Sequence, residues 1–278
     1  DYLKESGTYT LDFKLNAVPT ITQYYMQDLS DPTLASSVCV AEHPTIVFDS
    51  RDEQAYMVQR LKDGNCWLLE NLRLDISNAN VQANLTSATT NATDETLNYL
   101  KNGGGSSPYP ANGVIAKTAS SGSWGNDYTN PYIATQYENT TQPASGSSPA
   151  GKIGIYYNYC AASAGSYCYA TNASSGDATQ DICPAGWRLP TGGASGEYQA
   201  LYTAYSSNVA NFQASLSTPL SGLFRSGTAD DQGAYGRFWS STRYNGDDVY
   251  DLRVNSSTVS PQNSNGRSSG YPVRCVLK

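Results

Sequence analysis

A chain of 278 residues with 24 acidic and 17 basic side chains has a formal charge of −7 and no basic run, which excludes nucleic acid or an anionic membrane surface as its principal partner. Hydrophobic residues reach 39% and charged residues only 15%. Ser, Thr, Asn, Gly and 22 tyrosines supply the rest of the polar surface, as in a β-rich protein working outside the cell.

No stretch is long and apolar enough for a transmembrane helix, and Asp1 does not open a signal peptide. The segment is expected to be a processed or excised ectodomain, extracellular or at the cell surface, without direct membrane insertion. Its six cysteines, Cys39, Cys66, Cys160, Cys168, Cys183 and Cys275, match neither zinc-site nor thioredoxin spacing. Disulfides and an oxidising compartment are the economical reading. Six cysteines allow about fifteen connectivities. The one adopted pairs Cys160 with Cys168 across a short hairpin, Cys183 with Cys275 to tie the last strand to the middle of the domain, and Cys39 with Cys66 by elimination.

In chain order, residues 1–36 read as an N-terminal strand and linker, and residues 37–278 as the main domain. Within the first part, Tyr9, Leu11, Phe13 and Leu15 alternate onto one face of a strand, and Pro19 ends it. A lone strand cannot bury such a face, so it joins the main sheet, an upstream stalk or a neighbouring chain. From Val38 to Leu74 the pattern predicts a meander of strands at Thr45–Phe48, Ala55–Leu61 and Cys66–Leu69, with Asp63-Gly64 turning the second hairpin. Residues 76–150 are rich in Gly, Ser, Thr and Asn and read either as a loop-rich insertion packed by Trp124, Tyr128, Tyr132 and Tyr137 or as a partly disordered stretch. One short helix, Asp94–Leu100, is expected there, capped by Thr93.

Strand character resumes over Ile153–Cys160. The dense run Asp181–Thr191 precedes a helix from about Ser195 to Tyr205, with Ser195 as its cap and Glu197 at its positive end. The last forty residues alternate structural positions such as Trp239, Leu252 and Val276 with Tyr, Asn, Asp and Arg. These are Arg243, Tyr244, Asn245, Asp247, Asp248, Asp251, Arg253, Asn255, Asn263, Asn265, Arg267 and Tyr271. Recognition loops favour this mixture because it combines contact area with adaptable hydrogen bonding, so these twelve form the candidate ligand-binding set. Taken singly, each is also an ordinary solvent-facing or turn residue.

Four ordered motifs carry a family resemblance over residues 38–278. Asp63-Gly64-Asn65-Cys66-Trp67-Leu68-Leu69-Glu70-Asn71-Leu72, Cys183-Pro184-Ala185-Gly186-Trp187-Arg188-Leu189-Pro190-Thr191, Phe238-Trp239-Ser240-Ser241 and Val273-Arg274-Cys275-Val276 resemble the Fibrobacter succinogenes major paralogous domain. That family is similar in turn to the C-type-lectin-like fold of formylglycine-generating enzymes and of variable proteins diversified by retroelements. The resemblance implies an α+β, C-type-lectin-like domain with a twisted antiparallel sheet, few short helices and long loops. It also implies that variation, where it occurs, falls in the last strands and loops before the closing Arg-Cys segment.

The Glu-Pro-Asn and Trp-Asn-Asp signatures of calcium-dependent sugar lectins are absent, so the resemblance does not extend to calcium-mediated sugar binding. No cofactor is expected. Calcium held by Asp247-Asp248 or Asp230-Asp231 is the one candidate, and paired loop acids are more often simply solvated. Catalysis is not expected either, since His43 is the sole histidine and neither a nucleophile elbow nor an H-E-x-x-H run is present. The expected function is an adhesive or receptor-binding module for a protein or glycan on another surface. The alternative is a structural subunit of a filament or surface layer that assembles through the N-terminal strand.

Overall fold

The computed structural model describes residues 22–102, 130–168 and 175–278; the Tyr9–Leu15 strand, Trp124 and Tyr128 of the sequence reading lie outside them. A five-stranded antiparallel sheet runs in the spatial order Thr45–Phe48, Ala55–Arg60, Cys66–Leu68, Val276–Leu277 and Trp187–Arg188. Its first three strands are the expected meander. Gly64 turns the second hairpin with φ of 87°, where a side chain would be strained. The Asp63 carboxylate of that turn accepts the indole N–H of Trp67 at 2.9 Å.

Alternation divides the Cys66–Leu69 run between two cores. Cys66 and Leu68 pack with Val47, Tyr56 and Val58, while Trp67 and Leu69 pack with Tyr198, Leu201, Phe212, Phe238 and Leu252. Both faces are buried, which is why this stretch is apolar without a polar alternate.

The second sheet is antiparallel in the order Val259–Gly266, Asp248–Asn255, Tyr235–Arg243 and Gly176–Asp177. Helices Glu197–Ala204 and Val209–Leu216 supply Tyr198, Leu201, Phe212 and Leu216 to the core that this sheet shares through Phe238, Leu252, Val254 and Val259. The expected Ser195 cap is corrected. Gly196 occupies the N-cap position, and Thr191 Oγ1 accepts from Glu197 N at 2.9 Å while Glu197 Oε2 accepts from Thr191 N at 2.9 Å. That reciprocal pair satisfies two donors from outside the helix, and Arg188 locks it by a two-pronged bond to the same carboxylate, at 2.6 and 2.7 Å.

Three further expectations change. The linker reading of residues up to 36 gives way to a short helix, Pro32–Val38, and a 3₁₀ turn, Met26–Ser30, with Met26, Leu29, Ala35 and Val38 in the main core. Asp31 caps that helix through Thr33 N at 2.8 Å, and Pro32 follows as its first residue. The supposed insertion also packs inward: helices Ala79–Asn84 and Asp94–Asn102 bring Val81, Leu97 and Leu100 to the same core. Thr93 does cap the second of these, accepting from Thr96 N at 3.2 Å. Finally, the expected strand over Ile153–Cys160 shortens to Tyr156–Tyr157. Asn158 then caps a helical turn, Tyr159–Ala162, so Cys160 sits on a helix rather than in a hairpin.

The three disulfides are Cys39–Cys66, Cys160–Cys168 and Cys183–Cys275. The architecture is α+β, with antiparallel sheets and few helices. Its motif residues are internal. Trp67, Trp187 and Trp239 are all fully buried, and the last two donate their indole N–H groups to Met26 O at 2.8 Å and Tyr157 O at 2.7 Å. Arg274 is buried between the two cores and donates to Asn71 Oδ1, Leu68 O, Leu216 O and Ser217 O.

Candidate functional site

The candidate site follows from the register of the C-terminal sheet. Arg237 stands opposite Arg253, and Asp251 opposite both Trp239 and Asn263. Because neighbours along a strand point to opposite faces, Phe238, Leu252 and Val254 go to the core and Tyr235, Arg237, Asp251, Arg253 and Asn263 share the other face. A bulge between Asp251 and Arg253 on the Val259–Gly266 side keeps Asn263 and Asn265 on this face as well.

At its centre is a layered charge cluster. The Arg237 guanidinium lies 3.7 Å from Asp231 Oδ2 and 3.8 Å from Asp251 Oδ2. Asn263 Nδ2 donates to Asp251 Oδ1 at 2.8 Å, and Asn265 stands on the same face, opposite Val249. Burial pushes the Asp251 carboxyl up to about 6, against the opposing pull of Asn263, Arg237, Asn265 and Arg253. Above this layer the Arg253 guanidinium rests 4.5 Å from the Tyr235 ring centroid, with Arg237 at 5.7 Å from the same ring. Arginine held on an aromatic face keeps its N–H groups available at the ring's edge.

One end of the sheet carries the hairpin Tyr244–Asp247. Asn245 Oδ1 accepts from Asp247 N and Asp248 N, both at 2.8 Å, which sets the turn without a ligand. Tyr244 is 52% exposed, and its ring meets Tyr250 edge-on at 5.2 Å. Tyr250 in turn packs on Gly192, where an added Cβ would lie 2.5 Å from Tyr250 Cβ and 2.4 Å from Ser240 Oγ. Only glycine fits there, so the run after Thr191 lets the sheet and the Glu197–Ala204 helix close together behind the hairpin.

The twelve sequence-derived candidates separate into groups. Tyr244, Asn245 and Asp247 are exposed at the hairpin, and Asp248, Arg253, Asn263 and Asn265 are half-buried on the sheet. Asn255 belongs to the opposite end, about 25 Å along its eight-residue strand, where its Oδ1 accepts from Ser257 N and Thr258 N to form a turn.

Four candidates are corrected: Arg243, Asp251, Arg267 and Tyr271 are buried. Arg243 lies over the Tyr167 ring at 4.1 Å and donates to Ser175 O at 2.7 Å, which fastens the Gly176–Asp177 edge strand. Arg267 donates to Tyr167 O at 3.4 Å, and the Tyr271 ring stacks on Trp239 with centroids 4.2 Å apart. Each had the composition of a contact residue, but Arg243 and Arg267 turn their guanidinium groups inward onto backbone carbonyls, Asp251 faces Asn263 and Arg237, and Tyr271 is held by its ring.

Sequence reasoning missed Tyr235, Arg237 and Tyr250, and weighed Asp231 only for calcium. They precede the chosen stretch or alternate with core residues. The recurrence of Arg at 237 and 253 becomes a signal only once the register sets the two side by side.

The acid pairs weighed for calcium are turned elsewhere: Asp230 to Arg225, Asp231 to Arg237 and Asp248 to Asn245. Among the described residues no group of three or more His, Cys, Asp or Glu side chains converges. No described helix is long and apolar enough to cross a membrane, and three disulfides point to a non-cytoplasmic protein. No family model, curated protein or solved structure matches the chain.

Proposed function

We propose that this chain is an extracellular recognition module of the C-type-lectin-like kind. Its contact surface is the Tyr244–Asp247 hairpin together with the Arg253, Asn263 and Asn265 face of the C-terminal sheet, and its ligand is a protein or glycan on another surface. The observation that carries the reading is a division of labour. The motif residues Trp67, Trp187, Trp239 and Arg274 are buried and fully engaged, whereas Tyr244 and Asp247 are exposed and Arg253 is half-buried on the Tyr235 ring, and the side chains of these three accept or donate none of the hydrogen bonds that hold the fold among the described residues. A Tyr on a hairpin and an Arg on a ring are typical anchors of protein recognition. Positions of this kind tolerate substitution, as diversified recognition requires.

The test uses a printed glycan array and immobilised extracellular-matrix proteins, with the parent chain compared to Tyr244→Ala, Asp247→Ala and Arg253→Ala. A ligand lost at least tenfold in the variants with unchanged thermal midpoints supports the reading. Binding indifferent to all three substitutions sinks it. For diversification, gene copies within one population are compared: changes confined to the outward positions between Tyr244 and Asn265 support it, and uniform drift refutes it. The structural-subunit alternative is favoured by a different observation, the open edge of the Thr45–Phe48 strand.

A further inference from the structure

Thr45–Phe48 is the outermost strand of the five-stranded sheet. Its hydrogen-bonding parity can be read from its neighbour. Met57 N donates to Glu70 Oε2 at 2.8 Å and Met57 O accepts from Leu69 N at 2.9 Å, so both main-chain groups of Met57 face away from the edge strand. Ile46, directly opposite Met57, is therefore in a non-hydrogen-bonded pair, and its own N–H and C=O point off the sheet. Phe48, two residues on, confirms this parity, because its N–H leaves the sheet to reach Tyr24 O at 2.8 Å. Among the described residues the Ile46 main chain has no such partner.

Side chains at the same place are apolar and bare. Ile46 is 59% exposed and Met57 38%, and in a non-hydrogen-bonded pair the two lie against each other. Edges of this kind are normally blunted by charge, proline or cover.

We propose that this edge receives the Tyr9–Leu15 segment of a second copy of the chain, added as a further strand. The segment alternates Tyr9, Leu11, Phe13 and Leu15 with Thr10, Asp12 and Lys14, so one of its faces extends the Ile46–Met57 strip while the other remains polar. Pairing within one chain is disfavoured by the path already visible. The chain's own approach ends on Tyr24 and Tyr25, which hold the slot beside Phe48 in parallel, and the ladder stops there: Gln23 forms no bridge to Ile46, and its side-chain amide bonds Tyr25 Oη and Glu53. A strand arriving from another copy meets the same Tyr24–Tyr25 cover at Phe48 but pairs at Ile46 without having to double back on Gln23. Donor and acceptor surfaces differ, so the contact is heterologous and propagates into chains of molecules rather than closing as a two-fold dimer. The proposal is independent of ligand recognition, since the edge involves none of the residues of the C-terminal face.

Light scattering coupled to size exclusion tests it on the full chain, on Ile46→Lys, on Phe13→Asp and on a chain lacking residues 1–18. The expected result is concentration-dependent species of two or more copies for the full chain and monomers for each variant alone. Mixing Ile46→Lys, whose donor is intact, with the shortened chain, whose edge is intact, then restores a species of two copies. Far-UV circular dichroism of each variant confirms folding, and Phe13→Asp replaces the shortened chain should the latter fail to fold. Monomers at every concentration of the full chain, assembly that survives Ile46→Lys, or a mixture that stays monomeric overturns the proposal. Glycan or protein binding through Arg253 is measured separately and is unaffected by any of these outcomes.

Discussion

Replacing Arg274 by alanine tests the separation of frame from face. The guanidinium makes four hydrogen bonds, to Asn71 Oδ1 at 2.6 Å, Leu68 O at 3.2 Å, Leu216 O at 2.7 Å and Ser217 O at 2.8 Å, and lies 5.3 Å from the Phe238 ring centroid. Hydrogen bonds from a charged donor are worth roughly 1.5 to 3 kcal/mol each, and truncation also leaves buried carbonyls unpaired and a cavity behind. Opposing this, burial pushes the Arg274 pKa down to about 10, which shows that holding the cation in the core has its own cost. That depression corresponds to about 3 kcal/mol recovered on removing the charge. The hydrogen bonds win, and we expect Arg274→Ala to lose about 4 kcal/mol, a large part of the stability of an ordinary domain.

Arg253, with its head over Tyr235 and no carbonyl to satisfy, serves as the matched control: Arg253→Ala shifts stability by about 0.5 kcal/mol or less. Guanidinium unfolding under non-oxidising, non-reducing conditions, followed by tryptophan fluorescence, measures both. Equal losses at the two arginines, or a loss at Arg274 below about 1 kcal/mol, would refute the assignment of the closing Val-Arg-Cys-Val motif to the frame.

Stability is expected to fall as pH rises from about 4 to about 7. Asp52, raised to about 7 by burial and the nearby Asp49 charge despite Arg51 and Arg73, keeps a proton when folded that it releases when unfolded; Asp181 and Asp251, raised to about 6, act in the same direction. Below that range the sign reverses, because Arg51 holds the Asp49 carboxyl under its usual value and protonation there removes stability. Asp52→Asn should flatten the upper slope by on the order of 2 kcal/mol in thermal melts across pH; an unchanged slope would remove Asp52 as its source. Removing the Cys183–Cys275 link with paired alanines releases a loop of 92 residues, and the loop-entropy relation gives a loss of about 4 to 5 kcal/mol, checked by denaturant titration against the Cys160–Cys168 pair, which closes only 8. Gly192→Ala drives a methyl into Ser240 and Tyr250, so the midpoint should drop by several degrees with Tyr244 binding impaired; a neutral result would mean that the sheet and helix close less tightly than described.

Much of this molecule is written locally. The meander over Thr45–Leu69 was legible because alternation and Asp63-Gly64 act over a few residues, and the Thr93 cap lies within three residues of its donor. Side chains whose roles depend on distant partners were not. Thr191 and Glu197 cap a helix across a loop, so local inspection chose Ser195 instead. Met26 and Leu29 looked like linker because the indole and core they meet come from residues far along the chain.

The polar C-terminal stretch shows the same division. Sequence by itself determined that the last forty residues combine Tyr, Asn, Asp and Arg on strands and turns. Which of them face water was decided by tertiary structure alone: strand register and the carbonyls, polar side chains and rings of neighbouring segments drew Arg243, Asp251, Arg267 and Tyr271 inward and left Tyr244 and Asp247 exposed and Arg253 half-buried. A guanidinium or phenol suits either place equally well in composition. The choice depends on whether a buried acceptor or ring is waiting, and that is a property of packing across the whole chain.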